Sequence, residues 1–508
     1  MSSAGTNRSS PSESLSSHTS SPPRTDLKRN FSFNLLGMIL PIGITLITVP
    51  IYFAHIGAQR YGVLSIVWIL LGYFGFLDFG LSRATTNALA KLSDRPVLDR
   101  SRVLITALLL NAVLGLFGAM VLYSIGGILV AHILKLPASL SGEVSGAFPW
   151  IAGMLPIALV TAVGRGSIDA REHFLAANLL DFAGVVLGQV LPVLCAVFIG
   201  PELTVVIPAT FGASLISALL MLSFIARTER ITALPRFDKD RVKELFEYGA
   251  WVSVTNVIGP LLTSLDQIII GRMLGAAAVA YYSVPMNLVI RSQTMASALG
   301  RTLFPRFARL GAQEASQLAE RTVISLGYAF CAICGPAIIF GKGFLVLWMG
   351  SSFASQAGPI VDILMLGAWI NGVAFIPFSL LQAQGRPDLT AKIHAIELLP
   401  FVAVLWILLQ RFGLSGAALA WVLRVSVDAI LIFGAAGITL RHVARLTPAI
   451  LLLLVSYQIA GAVRDSIVWA AFFAVVMAII SGTATLMFDP ASRQLLLQLG
   501  RRFGKATA

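Results

Sequence analysis

The stretch GAQRYGVLSIVWILLGYFGFLDFGLSRATTNALAKL, residues 57–92, decides the fold class. Its first apolar run, Tyr61 to Leu77, is seventeen residues without a charge. At 1.5 Å per residue that approaches the ~30 Å hydrocarbon layer of a bilayer, so the run reads as a membrane-spanning helix. Asp78 and Arg83 then appear before the ordinary basic edge at Lys91. An ionised side chain at the centre of such a helix costs roughly 2.5–3.5 kcal/mol, so both residues need water, a partner or a ligand.

The rest of the chain extends this reading. Hydrophobic residues make up 57 % of the 508, and charged residues 12 %, against roughly 25 % in soluble domains. So few charges cannot coat a water-facing surface, and an all-α polytopic membrane protein follows. From Phe31 onward about 14 transmembrane helices are expected, among them 31–54, 61–83, 249–271, 279–305, 390–410, 414–440 and a marginal 447–463. The net charge of +13 does not imply a nucleic-acid partner. With the N-terminus placed in the cytoplasm, 29 of the 37 Lys and Arg fall in the tails and the loops of that side. Six fall in the intervening loops, and Arg291 and Arg424 lie inside spans. That asymmetry places both termini in the cytoplasm. Cys331 and Cys334, three apart in an apolar helix with no flanking His, read as packing residues. No metal and no cofactor are expected.

Composition shifts divide the chain. Residues 1–27 read as a disordered Ser/Pro-rich tail, 28–227 as a six-helix bundle, and 228–248 as a basic linker with an amphipathic surface helix. Residues 249–441 form a second six-helix bundle, 442–490 two further helices, and 491–508 a basic tail. The bundles look alike. Residues 33–92 laid on 251–310 without gaps give ten identities in sixty positions, including Gly57/Gly275, Ser65/Ser283 and Arg83/Arg301. Six helices intervene, so the repeats share one orientation and are related by an axis along the membrane normal. Two such bundles would enclose a central cavity.

Asn34 early in the first span, Pro50 near its end, GAQRYG at 57–62, YFGFLDFGLSRA at 73–84 and LDQIIIGRMLGAAAVAYYSV at 265–284 together resemble the polysaccharide transport family. These are Wzx-type flippases of lipid-linked oligosaccharides, in the multidrug/oligosaccharidyl-lipid/polysaccharide exporter superfamily. The resemblance covers about residues 30–440. It implies a MATE-like V-shaped fold, alternating inward and outward states, a charge-lined cavity and residence in the bacterial inner membrane.

The charges inside spans supply the candidate site. Arg291 lies midway along the span at 279–305 with Asn287 and Ser292 near it, a position too deep to reach water by stretching. It is expected to face the cavity or a buried carboxylate. Asp266 is a candidate partner for Arg291, or a protonatable site. Asp78 and Arg83 read either as an acid that satisfies neighbouring helix groups and an interfacial anchor, or as a cytoplasmic gate or substrate headgroup contact, with Arg301 the second-half counterpart of Arg83 or an interfacial anchor like it. Arg424 and Asp428, four apart, read as an intrahelical ion pair, and His394 with Glu397, three apart, as a solvated pair or a proton relay. Asp181 and Asp362 are weaker candidates. Pro41, Pro50, Pro260 and Pro285 each remove a backbone hydrogen bond and favour kinks.

No catalytic constellation is present, the phosphate-gripping GxxxxGK[ST] motif is missing, and the largest outer loop, 132–147, holds one acid, Glu143. An enzyme is not expected. The leading function is a flippase of polyprenyl-diphosphate-linked oligosaccharide, driven by a proton or sodium gradient, with membrane lipids and polysaccharide polymerase and glycosyltransferases as partners. A cation-coupled exporter of drugs or small molecules, and a non-transporting scaffold of a polysaccharide assembly complex, are the alternatives.

Overall fold

The computed structural model describes residues 24–92, 96–128, 136–171, 173–229, 264–438, 444–489 and 493. The tail before Arg24, the linker helix expected at 238–248, Pro260 and, Arg493 aside, the tail at 491–508 lie outside the described residues. Residues 24–27, read as tail, are helical.

The first half consists of α1 (Arg24–Phe74), a 3₁₀ turn (Gly75–Asp78), α2 (Leu81–Lys91), α3 (Val97–Ile128), α4 (Ala138–Ala170), α5 (Phe174–Phe198) and α6 (Leu203–Thr228). The second has α7 (residues 264–274), α8 (Ala276–Ser292), α9 (Thr294–Arg309), α10 (Ala312–Met349), α11 (Ser351–Ala383) and α12 (Pro387–Ala435). Then come α13 (Thr447–Ala462) and α14 (Ile467–Phe488). No strand occurs among the described residues. Hydrocarbon offers backbone groups no partners, so the chain satisfies them within helices. Nine of the described helices are long and apolar enough to cross a membrane. The protein is a multi-pass membrane protein.

Two of those helices are double. Gly57 interrupts α1 with φ 79° and ψ 168°. Tyr61 meets the rings of Tyr52 and Phe53 with centroids 6.2 and 5.9 Å apart. A straight helix would separate such residues by roughly 12–14 Å along its axis, so the chain folds back at Gly57. Gly413 does the same in α12: a Cβ on Gly416 would lie 2.0 Å from the Leu408 carbonyl oxygen. The expected spans 31–54 with 61–83, and 390–410 with 414–440, are the arms of these hairpins.

The repeat is visible in the backbone. Gly275, between α7 and α8, has φ 88° and ψ 173°, matching Gly57 within a few degrees. A side chain there would clash with the backbone, so both halves need glycine. Ser65 and Ser283, equivalent in the repeat, are hydrogen-bonded to each other, Oγ to Oγ at 3.1 Å. Equivalent atoms can meet only beside the axis that relates the two halves. A Cβ on Gly62 would stand 1.7 Å from the Ala276 carbonyl oxygen, so the two halves touch backbone to backbone here.

Away from this seam the cores differ. One core runs from Val49, Tyr52 and Leu64 into Val279 and Tyr282 and onward through α10 and α11. A separate core joins Leu81, Ala84, Val103, Val163 and Met221 within α2–α6. At that end α2 packs on α3 and α4, and α9 on α10 and α11. The expectation of continuous helices over 61–83 and 279–305 is corrected here. The first breaks at Gly75–Gly80, where Phe79 and Gly80 adopt left-handed φ of 45° and 68°; the second breaks at Gln293. Gly75 and Gln293 are equivalent in the repeat, so both halves break at one level. Helices α13 and α14 pack on α10 and are tied to it and to α11 by Lys342–Asp465 (3.0 Å) and Arg464–Asp362 (3.3 Å).

Replacing Ser65 and Ser283 by Cys, with the three native cysteines removed, places two thiols within disulfide reach. Mild oxidation is expected to protect both from maleimide labelling. Free labelling of both would contradict the seam.

Candidate functional site

Below the seam lies a cavity of about 200 Å³ between α1, α5, α8 and α10. Arg291, in the last turn of α8, lines it with Asn287 one turn earlier. One guanidinium nitrogen donates to Thr45 Oγ1 at 3.2 Å, and the Thr45 hydroxyl donates to the Pro41 carbonyl at 2.8 Å. Gln189, Tyr52, Tyr61, Trp68 and Trp348 complete the polar and aromatic lining, and no carboxylate is among the described lining residues. The cavity therefore holds one cation with several N–H donors to spare, in surroundings where charge attraction exceeds its value in water.

Proline helps to build the wall. Pro50 has no N–H, so the Leu46 carbonyl one turn earlier loses its helical partner. Trp348 from α10 donates its indole N–H to that carbonyl at 2.6 Å. A sequence feature read as a kink thus also docks the second half onto the first.

Several sequence expectations are redistributed. Asp266 is fully buried and does not meet Arg291. It accepts hydrogen bonds from the Tyr282 hydroxyl (2.6 Å) and the Gln267 amide (2.8 Å), because the turn at Gly275 brings α8 back along α7. Asp78 caps α2, accepting from the Ser82 hydroxyl (2.7 Å) and amide (3.2 Å), since the chain has left helical geometry at Gly75. Arg83 and Arg301 are both exposed on their helices, and Arg301 reaches Ser297 at 3.4 Å. Asn34 lies in α1, where only the backbone is described.

The pairs within helices are also corrected. Arg424 faces Glu397 at 3.8 Å and His394 faces Asp428 at 3.3 Å. The fold-back at Gly413 lays the two arms of α12 side by side, so the partners cross from arm to arm. Glu397 is 4 % exposed, and both its carboxylate oxygens lack a hydrogen-bond donor among the described residues. The Arg424 guanidinium also lies 5.5 Å from the centre of the Phe401 ring.

Residues 27–311 match the family described as "Polysaccharide biosynthesis protein". The chain belongs to that family. Over 410 residues, 80 % of this chain and 96 % of the other, it is 28 % identical to the "Putative O-antigen transporter" of Shigella flexneri. It is 22 % identical over 407 residues to the "Lipopolysaccharide biosynthesis protein WzxC" of Escherichia coli K12, covering 78 % of each. Its fold is shared with the "Lipid II flippase MurJ, inward closed conformation", at TM-score 0.71 and 11 % identity over 92 % of this chain and all of that one. A multidrug resistance MATE family transporter of the MOP superfamily, inward-facing, matches at TM-score 0.64 and 16 % identity, over 80 % and 98 %.

In this polysaccharide biosynthesis family member, sequence reasoning missed Gln189, Trp68 and Trp348 as site residues. Arg165 was missed as well; it bonds Asp169 at 3.1 Å and contacts Asp181 across α4 and α5. Its i,i+4 acid was the available signal, but its place near a basic membrane edge concealed it.

Arg424→Ala leaves the buried Glu397 carboxylate unpaired, with an expected loss of about 3–5 kcal/mol. Adding Glu397→Gln should recover part of it. Thermal unfolding of the purified protein in detergent measures both, and unchanged stability of the single variant would contradict the pairing.

Proposed function

We propose that this protein moves a polyprenyl-diphosphate-linked oligosaccharide from the inner to the outer leaflet of the bacterial cytoplasmic membrane, by alternating access between halves 28–227 and 249–441. The observation that carries this reading is the cavity with Arg291 at its wall and no carboxylate among its described lining residues. A diphosphate offers several anionic oxygens to a guanidinium, whose planar fork suits them. A cationic drug would meet an uncompensated positive charge in the same place. Relatives named as an O-antigen transporter and a lipopolysaccharide biosynthesis protein support the choice.

With both termini in the cytoplasm, the turns at Gly57 and Gly275 face outward. The seam then closes the outer side, and opening toward the cytoplasm would part α2 from α9. A carrier that merely binds can only equalise the two leaflets, so net transport draws on a gradient. Asp266, Glu397 and Asp428, with Arg424 and His394 beside the latter two, form the coupling set. A proton or a sodium ion there balances the excess of carboxylate.

Arg291→Ala, at normal membrane level, is expected to lower export of surface polysaccharide about 10- to 100-fold, the value of a hydrogen bond to a charged group. Arg291→Lys should keep part of it. Wild-type export from both variants would overturn the role of Arg291 and favour a scaffold. Asp266→Asn should weaken stimulation by an imposed proton or sodium gradient in proteoliposomes; unchanged stimulation would remove Asp266 from the coupling path.

A further inference from the structure

The cavity beside Arg291 is too small for the whole of the proposed substrate. Ligand pockets usually measure roughly 300–1,000 Å³, and this one has about 200 Å³. A second cavity of about 420 Å³ lies within the N-terminal half, between the second arm of α1 and helices α4, α5 and α6. Trp68 borders both. We propose that this second cavity is a carbohydrate groove that holds the sugar chain while Arg291 holds the diphosphate. The proposal rests on the reading of the protein as a carrier of lipid-linked oligosaccharide.

The chemistry of the groove selects a neutral polyol. Thr210, Ser214 and Ser217 lie four and three residues apart, so they share one face of α6. Each hydroxyl donates its proton to a carbonyl one turn back: Val206 (2.9 Å), Thr210 (2.9 Å) and Ala213 (2.8 Å). Thr161 on α4 does the same to Ile157 at 2.6 Å. With their protons committed, these oxygens present acceptor lone pairs to the groove. An anion finds no stabilisation against such a wall, whereas a sugar hydroxyl can donate to it.

Arg165 does not reverse this preference. Asp169 and Asp181 both contact it, so it brings no net positive charge. Its remaining N–H groups and the carboxylate oxygens serve the donor and acceptor sides of a hydroxyl alike. Trp68, 37 % exposed at the boundary, offers a flat apolar surface for the C–H face of a sugar ring. An isoprenoid chain would have to strip water from the hydroxyls and the ion pairs without replacing their bonds. The two cavities thus sort the substrate: charge to Arg291, hydroxyls to α4 and α6.

The test uses the full chain in proteoliposomes and two probes. One is polyprenyl diphosphate carrying the complete repeat unit from the producing strain, and the other is the same lipid carrying a single sugar. Ser214→Leu, which fills the groove, should slow the complete unit at least tenfold and leave the single-sugar lipid within twofold. Thr161→Val and Ser214→Ala should each slow the complete unit about fivefold, the worth of one neutral hydrogen bond. Retained transport of the single-sugar lipid certifies that a variant is folded; should Ser214→Leu fail to fold, the two milder variants decide. Equal slowing of both probes, or of neither, overturns the groove. Arg291→Ala should slow both probes, and a failure there strikes the diphosphate assignment while the length-dependent result still judges the groove.

Discussion

The contact between Ser65 and Ser283 is the constraint on which the remaining architecture depends. It marks the axis between the halves, and it is possible only because Gly62 lets the backbone of Ala276 approach without a side chain between them. Small residues are what permit such approach in lipid, where no hydrophobic force draws apolar helices together. The seam joins the halves at Gly62 and Ala276, while α2 packs in a core drawn from the first half. A cavity directly beneath the seam follows from that geometry. Trp348, bonded to the carbonyl that Pro50 leaves free, braces the same two halves.

Ionisable groups are distributed with equal consequence. Arg291 stands in the cavity between the halves with no carboxylate among the described lining residues. Asp266 is shut inside the second half with a tyrosine, and Glu397 and Asp428 are shut in with Arg424 and His394. Arg165 in the first half is held by two acids. In a low-dielectric interior an uncompensated charge dictates which ligand can enter, so under the proposed function this sorting would separate an anion site from a site for a small cation and from a neutral groove. A rocking motion about the seam would change the surroundings of all three at once, which is what coupling between them requires.

Some of the site was legible because it depends on one residue against its immediate background. Arg291 interrupts an apolar run that no snorkelling side chain can escape, so its need for a cavity or a buried partner follows from cost alone. The pairings were not legible. Spacing of three or four residues implies contact only on a continuous helix, and the glycine turns redirect the partners: Arg424 to Glu397, His394 to Asp428, and Asp266 to Tyr282. Asp78 became a cap for the same reason, since two left-handed residues end the helix beside it. Gln189 and Trp348 reach the cavity from helices far along the chain, and nothing local announces that.

The amino-acid sequence by itself determined the all-helical membrane class, the internal repeat and the presence of a cation deep in the eighth expected span. Each follows from local physics: apolar length against bilayer thickness, glycine where no side chain is tolerated, and the cost of burying charge. Tertiary structure alone decided which acids belong to which bases, that Arg291 faces a cavity with no carboxylate among its described lining residues, and that the halves meet backbone to backbone at Gly62. Those facts depend on how helices remote in sequence are laid together. The hairpin turns and the backbone contact at Gly62 set that arrangement, and residue spacing does not encode it.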